Sequence, residues 1–357
     1  MDPNSINDTR DDFRNITFSG FQKSKAKQEL LNCLYNGKIE NACYWGAEFI
    51  CSNHYLELWD IIILYYCKFI HCGNIKLPLY LSMRYNNFVT ILHNGYNTNT
   101  LPMRNNKKIR KLFAEIICIL CFSNKKHTYS EVKLNKSEEF DLTNISSKFK
   151  APNMHYLDNV FKDDDPKELL IPFNELIYNL VNKNIIDTCY WYEWIIEYEN
   201  ICKRKKKKCI SQARTYAPNG HHNDIIWIIW DAIFYYADPE NQSLINDNIS
   251  NTENANIVYK IIKALYDLFI IRYNTPIKRK RKFIIYFCFS LLTETHNLNV
   301  QITNKNGEIV AITEKIDEIY KQIKKNEKNP GTDYLFNNLK KSNLEKTIEK
   351  IEMINNI

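Results

Sequence analysis

Residues 30–50 read LLNCLYNGKIENACYWGAEFI, and residues 176–196 read LIYNLVNKNIIDTCYWYEWII. At a fixed offset of 146 (176 − 30), Leu30, Leu34, Asn36, Ile39, Cys43, Tyr44, Trp45 and Ile50 recur as Leu176, Leu180, Asn182, Ile185, Cys189, Tyr190, Trp191 and Ile196. In each stretch, apolar residues at helical spacing flank a short polar break at Asn36-Gly37 or Asn182-Lys183, which predicts two helices joined by a tight turn. A second match follows at an offset of 171 (229 − 58). Leu58-Trp59-Asp60 is answered by Ile229-Trp230-Asp231, and Tyr65 by Tyr236. Lys107-Lys108 and Arg110-Lys111 are answered by Lys278-Arg279 and Arg281-Lys282. The offsets differ by 25 (171 − 146), so the second copy carries an insertion, and that interval holds Lys203-Arg204-Lys205-Lys206-Lys207-Lys208. The expected fold is all-α: two duplicated helical domains with a small C-terminal extension of a hairpin and helices. Such an architecture points to a scaffold or binding protein and specifies no reaction.

Composition agrees. The 357 residues are 45% hydrophobic and 13% aromatic, enough to bury a sizeable core. Only 8 glycines and 10 prolines argue against a turn-rich β fold. Abundant Asn, Ile, Lys and Tyr are residues of AT-rich codons, as expected of a large DNA virus or an AT-rich protist. The 11 cysteines sit in apolar segments and no signal peptide follows the polar start, so buried reduced thiols and an intracellular, soluble location are expected. No apolar run reaches the roughly 18 residues of a membrane span.

The same patterning divides the chain. Residues 1–22 read as a flexible N-terminus, 23–125 as helical domain 1 and 126–166 as a linker. Residues 167–296 read as helical domain 2, with a basic insertion at 202–223. In the extension, 297–357, Asn306-Gly307 between Val300–Ile302 and Glu308–Val310 predicts a hairpin. Thr313–Lys325 and Tyr334–Ile354 then read as amphipathic helices.

Catalytic signatures are missing. The glycines support neither a Walker A loop nor a dinucleotide fingerprint, and no zincin motif or nucleophile elbow occurs. No cofactor, catalytic residue or metal is therefore expected. Two sets of residues are of zinc-ligand type. Cys67, His71, Cys118 and Cys121 include two cysteines inside an apolar helix pattern. Cys202, Cys209, His221 and His222 have spacing unlike common zinc modules. Asp60 and Asp231 each follow a tryptophan inside an apolar helix, where a lone carboxylate is costly. The shared offset predicts structural ion pairs, Asp60 with the Arg110-Lys111 region and Asp231 with Arg281-Lys282. Tyr44, Trp45, Trp59, Tyr190, Trp191 and Trp230 are expected to be structural as well.

The functional signal is basic. The net charge is only +7, but it is clustered. Lys203, Arg204, Lys205, Lys206, Lys207 and Lys208, followed by Arg214, form one cluster; Lys278, Arg279, Lys280, Arg281 and Lys282 form another. Such density neutralises several phosphates with steep salt dependence, and Tyr216 and Tyr273 nearby are suited to stacking on unpaired bases. A localisation signal and a solvated loop are the competing readings.

The pattern Gly37-x4-Ala42-x-Tyr44-Trp45-x4-Ile50, followed by Gly73-x3-Leu77-Pro78, resembles the helical C-terminal oligomerisation domain of recombination-associated AAA+ ATPases related to clamp loaders. The resemblance covers about residues 28–80. The second copy keeps Cys189-Tyr190-Trp191 but has Lys183 and Thr188 in place of Gly37 and Ala42, and the ATPase portion is missing. The resemblance implies a collar-like assembly role in DNA replication or repair without ATP hydrolysis. Together these readings predict a non-enzymatic adaptor or scaffold that contacts DNA or RNA, with protein partners or self-association and no membrane. A structural or virion-assembly protein with incidental basic runs is the alternative.

Overall fold

The turn that follows Leu34 forms as its sequence requires. Helices α1 (Lys23–Tyr35) and α2 (Ile39–Cys51) are joined through Gly37, which takes a left-handed φ of +66°. Helices α7 (Leu170–Val181) and α8 (Ile185–Arg204) are joined in the same way through Lys183, at φ +58°. The hydrogen bonds recur atom for atom. Asn36 N donates to Asn32 O (3.0 Å), Gly37 N to Leu34 O (3.3 Å) and Lys38 N to Cys33 O (2.9 Å). Asn182 N donates to Tyr178 O (3.0 Å), Lys183 N to Leu180 O (3.1 Å) and Asn184 N to Asn179 O (2.8 Å). Tyr44 and Trp45 pack edge to face at 5.5 Å, as Tyr190 and Trp191 do at 5.2 Å. This computed structural model describes residues 5–328 apart from 9, 11–12, 94–99, 127, 136–138, 141–144 and 246–251.

In the first half, α3 (Tyr55–Tyr65), α4 (Leu77–His93), α5 (Thr100–Arg104) and α6 (Lys107–Phe122) follow the hairpin. The apolar run after α3 does not continue as α-helix: it gives way to a π turn at Tyr66–Ile70 and a 3-10 turn at His71–Asn74. Helix α4 is one of the longer helices, at 17 residues. Asn106 caps α6, its side-chain oxygen accepting from Lys108 N (2.8 Å) and Ile109 N (3.2 Å). In the second half come α9 (Ile226–Ala237), α10 (Thr252–Ile270), the short α11 (Ile277–Lys280) and α12 (Lys282–Thr293). Helices α13 (Asn306–Glu314) and α14 (Ile316–Lys324) close the described chain.

The two tryptophans at offset 171 sit in matching pockets. Trp59 on α3 packs against Tyr85 and Phe88 of α4, at 5.2 and 6.0 Å. Trp230 on α9 packs against Tyr266 and Phe269 of α10, at 5.1 and 5.3 Å. Both indoles are fully buried, and both leave the ring N–H without a hydrogen-bond partner. Helices α4 and α10 then pack on each other, with Ser82 Oγ donating to Asp267 Oδ2 at 3.2 Å. The buried apolar side chains of both halves merge into one continuous cluster.

The described residues of the polar stretch 126–166 lie along this core. Lys126 N donates to Phe69 O (2.8 Å), and Tyr129 stacks on His71 (4.4 Å). Phe140 stacks on Trp194 and Phe149 on Trp191. The amides of Lys150 and Ala151 donate to the buried carboxylate of Glu175.

The expected C-terminal hairpin does not form. Residues 306–314 are helix α13, and the described residues contain no strand beyond an isolated bridge between Ile16 and Gln22. Glu308 favours the helix from its first turn, where Lys305 pairs with it at 2.6 Å. Helical spacing also buries Ile309 and half-buries Ile312, whereas a two-stranded hairpin offers no such packing. The helix expected over Thr313–Lys325 begins after a break at Lys315. It buries Ile316, Tyr320 and Ile323, with the Arg110 guanidinium 4.0 Å from the centre of the Tyr320 ring. The expected helix Tyr334–Ile354 lies outside the described residues.

Candidate nucleic-acid interface

Helix α8 runs two turns beyond the length of α2, and its end carries the basic run. Lys206 there has a φ of +54° and Lys207 N donates to Cys202 O (2.8 Å), the bonding that ends α2 at Asn53 and His54. Lys203 through Lys208 are all exposed. The run at 278–282 forms α11 and the start of α12 and comes to the same surface.

Two glutamates on α8 hold the runs together. Glu197 accepts from Arg204 (2.6 Å) with one oxygen and from Arg279 (3.3 Å) with the other. Glu199 pairs with Lys203 (2.9 Å) and with Lys278 (2.5 Å), and Lys278 also reaches Asp224 (2.6 Å). Cations about 75 residues apart in sequence (279 − 204) thus share carboxylates. Their spacing in sequence carries no sign of this, because the acids that join them lie a turn or two upstream on α8.

Several of the cations expected to meet nucleic acid are turned inward. Arg214 is fully buried between Asp165, which it grips through Nη2 at 2.7 Å, and Asp231, at 2.7 Å from Nε. Burial opposes its charge, but the bonds to Asp165 and Asp231 prevail and raise its pKa above the ordinary value. Lys278 is buried with its two carboxylates. Arg281 is buried, donating to Phe269 O (2.7 Å), Ile271 O (2.6 Å) and Asp60 (2.7 Å). Lys282 pairs with Glu193 at 3.3 Å. Arg214, Lys278 and Arg281 are therefore structural, and the surface set reduces to Lys203–Lys208, Arg279 and Lys280, with Lys282 half-buried behind them.

Of the two nearby tyrosines, Tyr273 is buried, whereas Tyr216 keeps 37% of its surface exposed while its ring edge and hydroxyl are held by neighbours. Tyr216 packs edge to face on Trp227, Phe234 and Tyr266, and its hydroxyl donates to Asp231 at 2.7 Å. Burial first, then the Asp231 charge, raises its pKa. Tyr273 is buried against Trp227, with its hydroxyl on Asp224 (2.9 Å).

Neither aspartate meets its expected partner. Asp60 pairs with Arg281, the partner expected for Asp231, and Asp231 pairs with Arg214 of the loop that follows α8. Arg281, at the start of α12, meets α3 through Asp60, while the Asp231 carboxylate is taken up by Arg214 and Tyr216. Arg110 is held instead by Arg104 O (3.0 Å) and Asn105 Oδ1 (2.8 Å) beneath Tyr320.

A cavity of about 810 Å³ adjoins the basic surface, lined in part by Lys23, Lys27, Glu57, Asp60, Lys280 and Arg281. Neither zinc set considered from sequence converges among the described residues. His222 Nδ1 faces Arg214 O at 3.0 Å, and His221 packs on Tyr273. Burial pushes the thiols of Cys121 and Cys209 up to about 12. No helix among the described residues is long and apolar enough to cross a membrane. Comparison with family models, curated proteins and solved structures finds no match.

Proposed function

We propose that this chain is a non-enzymatic helical adaptor or scaffold that contacts nucleic acid through one basic face, built from Lys203–Lys208 with Arg279 and Lys280. The observation that carries this reading is the joining of two distant basic runs by Glu197 and Glu199. The lysines beyond those carboxylates, Lys205–Lys208, project as surplus charge. Tyr273 is buried and the Tyr216 hydroxyl is held by Asp231, so the face is suited first to phosphates, and binding is expected to be insensitive to sequence. Lys280 extends the same charge to the rim of the adjoining cavity. A collar-like assembly in replication or repair is the setting that the Tyr44-Trp45 resemblance implies.

The test is fluorescence anisotropy of labelled single- and double-stranded DNA and RNA across a salt series. The intact protein is compared with a variant carrying Lys→Gln at 205, 206, 207 and 208. These side chains are exposed, so the variant retains the fold. About five phosphate contacts predict a slope of log K against log salt of roughly −4 to −5, falling towards −1 in the variant. No binding near physiological salt, or equal binding by both proteins, overturns the proposal and leaves the structural-assembly reading.

A further inference from the structure

Outside the basic face, the fold brings together a cysteine, a glutamate and a histidine that no spacing in the sequence relates. Cys72 lies in the 3-10 turn after α3, whereas Glu294 and His296 follow the C-terminus of α12. The Cys72 sulfur, a Glu294 carboxylate oxygen and an imidazole nitrogen of His296 all lie within 4.8 Å of one another. Cys72 and His296 are half-buried and Glu294 is exposed.

We infer that Cys72, Glu294 and His296 form a binding site for a divalent transition metal of the zinc class, pinning the first half of the chain to the second. Three arguments carry this. The donor set of thiolate, imidazole and carboxylate is the one zinc prefers, and three protein ligands leave a fourth position for water. A tetrahedral centre with bonds of about 2.0–2.3 Å sets its ligands roughly 3.3–3.7 Å apart, so the group needs to close by no more than about 1.5 Å. The exposed Glu294 is free to make that movement.

The second argument is orientation. His296 Nε2 lies 3.0 Å from Ser290 O, which only accepts, so Nε2 carries the proton and Nδ1 keeps its lone pair for a metal. The hydroxyl of the same Ser290, itself buried, lies 3.5 Å from the Cys72 sulfur. One serine on α12 thus sets two of the three ligands. The third argument is space: Glu294 and His296 both line a cavity of about 80 Å³, so their side of the cluster is not closed off by packing. Binding replaces the thiol proton with the metal, and that proton leaves to the buffer.

The experiment is a Co²⁺ titration of the reduced, chelator-treated full chain, read by absorption. Intact protein should show a thiolate-to-cobalt charge-transfer band and the intense visible bands of a four-coordinate centre, at one ion per chain. Excess Zn²⁺ should bleach both. Cys72→Ser and His296→Ala should lose the bands, while Glu294→Gln should weaken affinity at least about tenfold. Cys209→Ser should leave them intact, since Cys209 is the other cysteine that is not fully buried. Circular dichroism confirms that each variant is folded. Absence of bands in the intact protein, their survival in Cys72→Ser, or unchanged affinity in Glu294→Gln would overturn the assignment.

Discussion

Trp59 on α3 and Trp230 on α9 bury the same indole against the same Tyr-x-x-Phe pair, whereas Asp60 and Asp231, one residue on, reach different cations. The indole needs an apolar wall at helical spacing, and any neighbouring helix with aromatic residues three apart provides it. A carboxylate needs one cation at one place. In the first half that cation comes across the junction from α12, and Asp60 keeps a side chain 44% exposed. In the second it comes from the inserted loop, and Arg214 is sealed between two aspartates. Apolar packing therefore recurs between the halves while ion pairing follows the local surroundings.

The largest expected effects test the recurring part. Trp59→Ala and Trp230→Ala should each lower stability by about 3–5 kcal/mol, read as a shift in the urea midpoint. A cost at one site less than half that at the other would break the equivalence of the two pockets. The aspartates should behave unequally. Arg214→Leu leaves Asp165 buried without a counter-charge and should cost about 3–5 kcal/mol. Asp60→Asn should cost less than about 1 kcal/mol, because its carboxylate is half exposed and Arg281 retains two backbone acceptors. Equal losses would mean that the inserted loop contributes nothing special.

The hairpin turns offer a finer comparison. Gly37 and Lys183 share one left-handed conformation, and a Cβ at Gly37 would meet nothing within 4 Å. Gly37→Ala should therefore destabilise by about 1 kcal/mol through backbone strain alone. Lys183→Gly should stabilise by about 0.5–1 kcal/mol, and the sign of each change in thermal midpoint is the test. The smallest effect belongs to the basic face. Glu197→Gln removes an acid shared by Arg204 and Arg279 and should tighten nucleic-acid binding by about two-fold at low salt, with the gain vanishing at high salt. A weakened complex would mean that Glu197 positions the arginines more than it masks them.

Much of this molecule is legible in its residues. The period of the apolar positions marks α1, α2, α6, α8, α9 and α12, because burial of a helical face is a local property repeated every three or four residues. Asn36-Gly37 and Asn182-Lys183 mark both turns, although only the first has the residue its backbone geometry favours. Asn306-Gly307 misleads: a turn signature yields to helix when the flanking segments find no strand to pair with.

By itself, the sequence determined the all-α class, the aromatic anchors and the clustering of positive charge. These follow from short-range periodicity and composition. Tertiary structure alone decided which cations remain on the surface, which acids hold Arg214, Lys278 and Arg281 inside, and that Cys72 meets Glu294 and His296. Each of those outcomes depends on an encounter between side chains far apart in sequence. Electrostatic and ligand geometry fall off within a few ångströms, and no local pattern specifies a meeting at that distance.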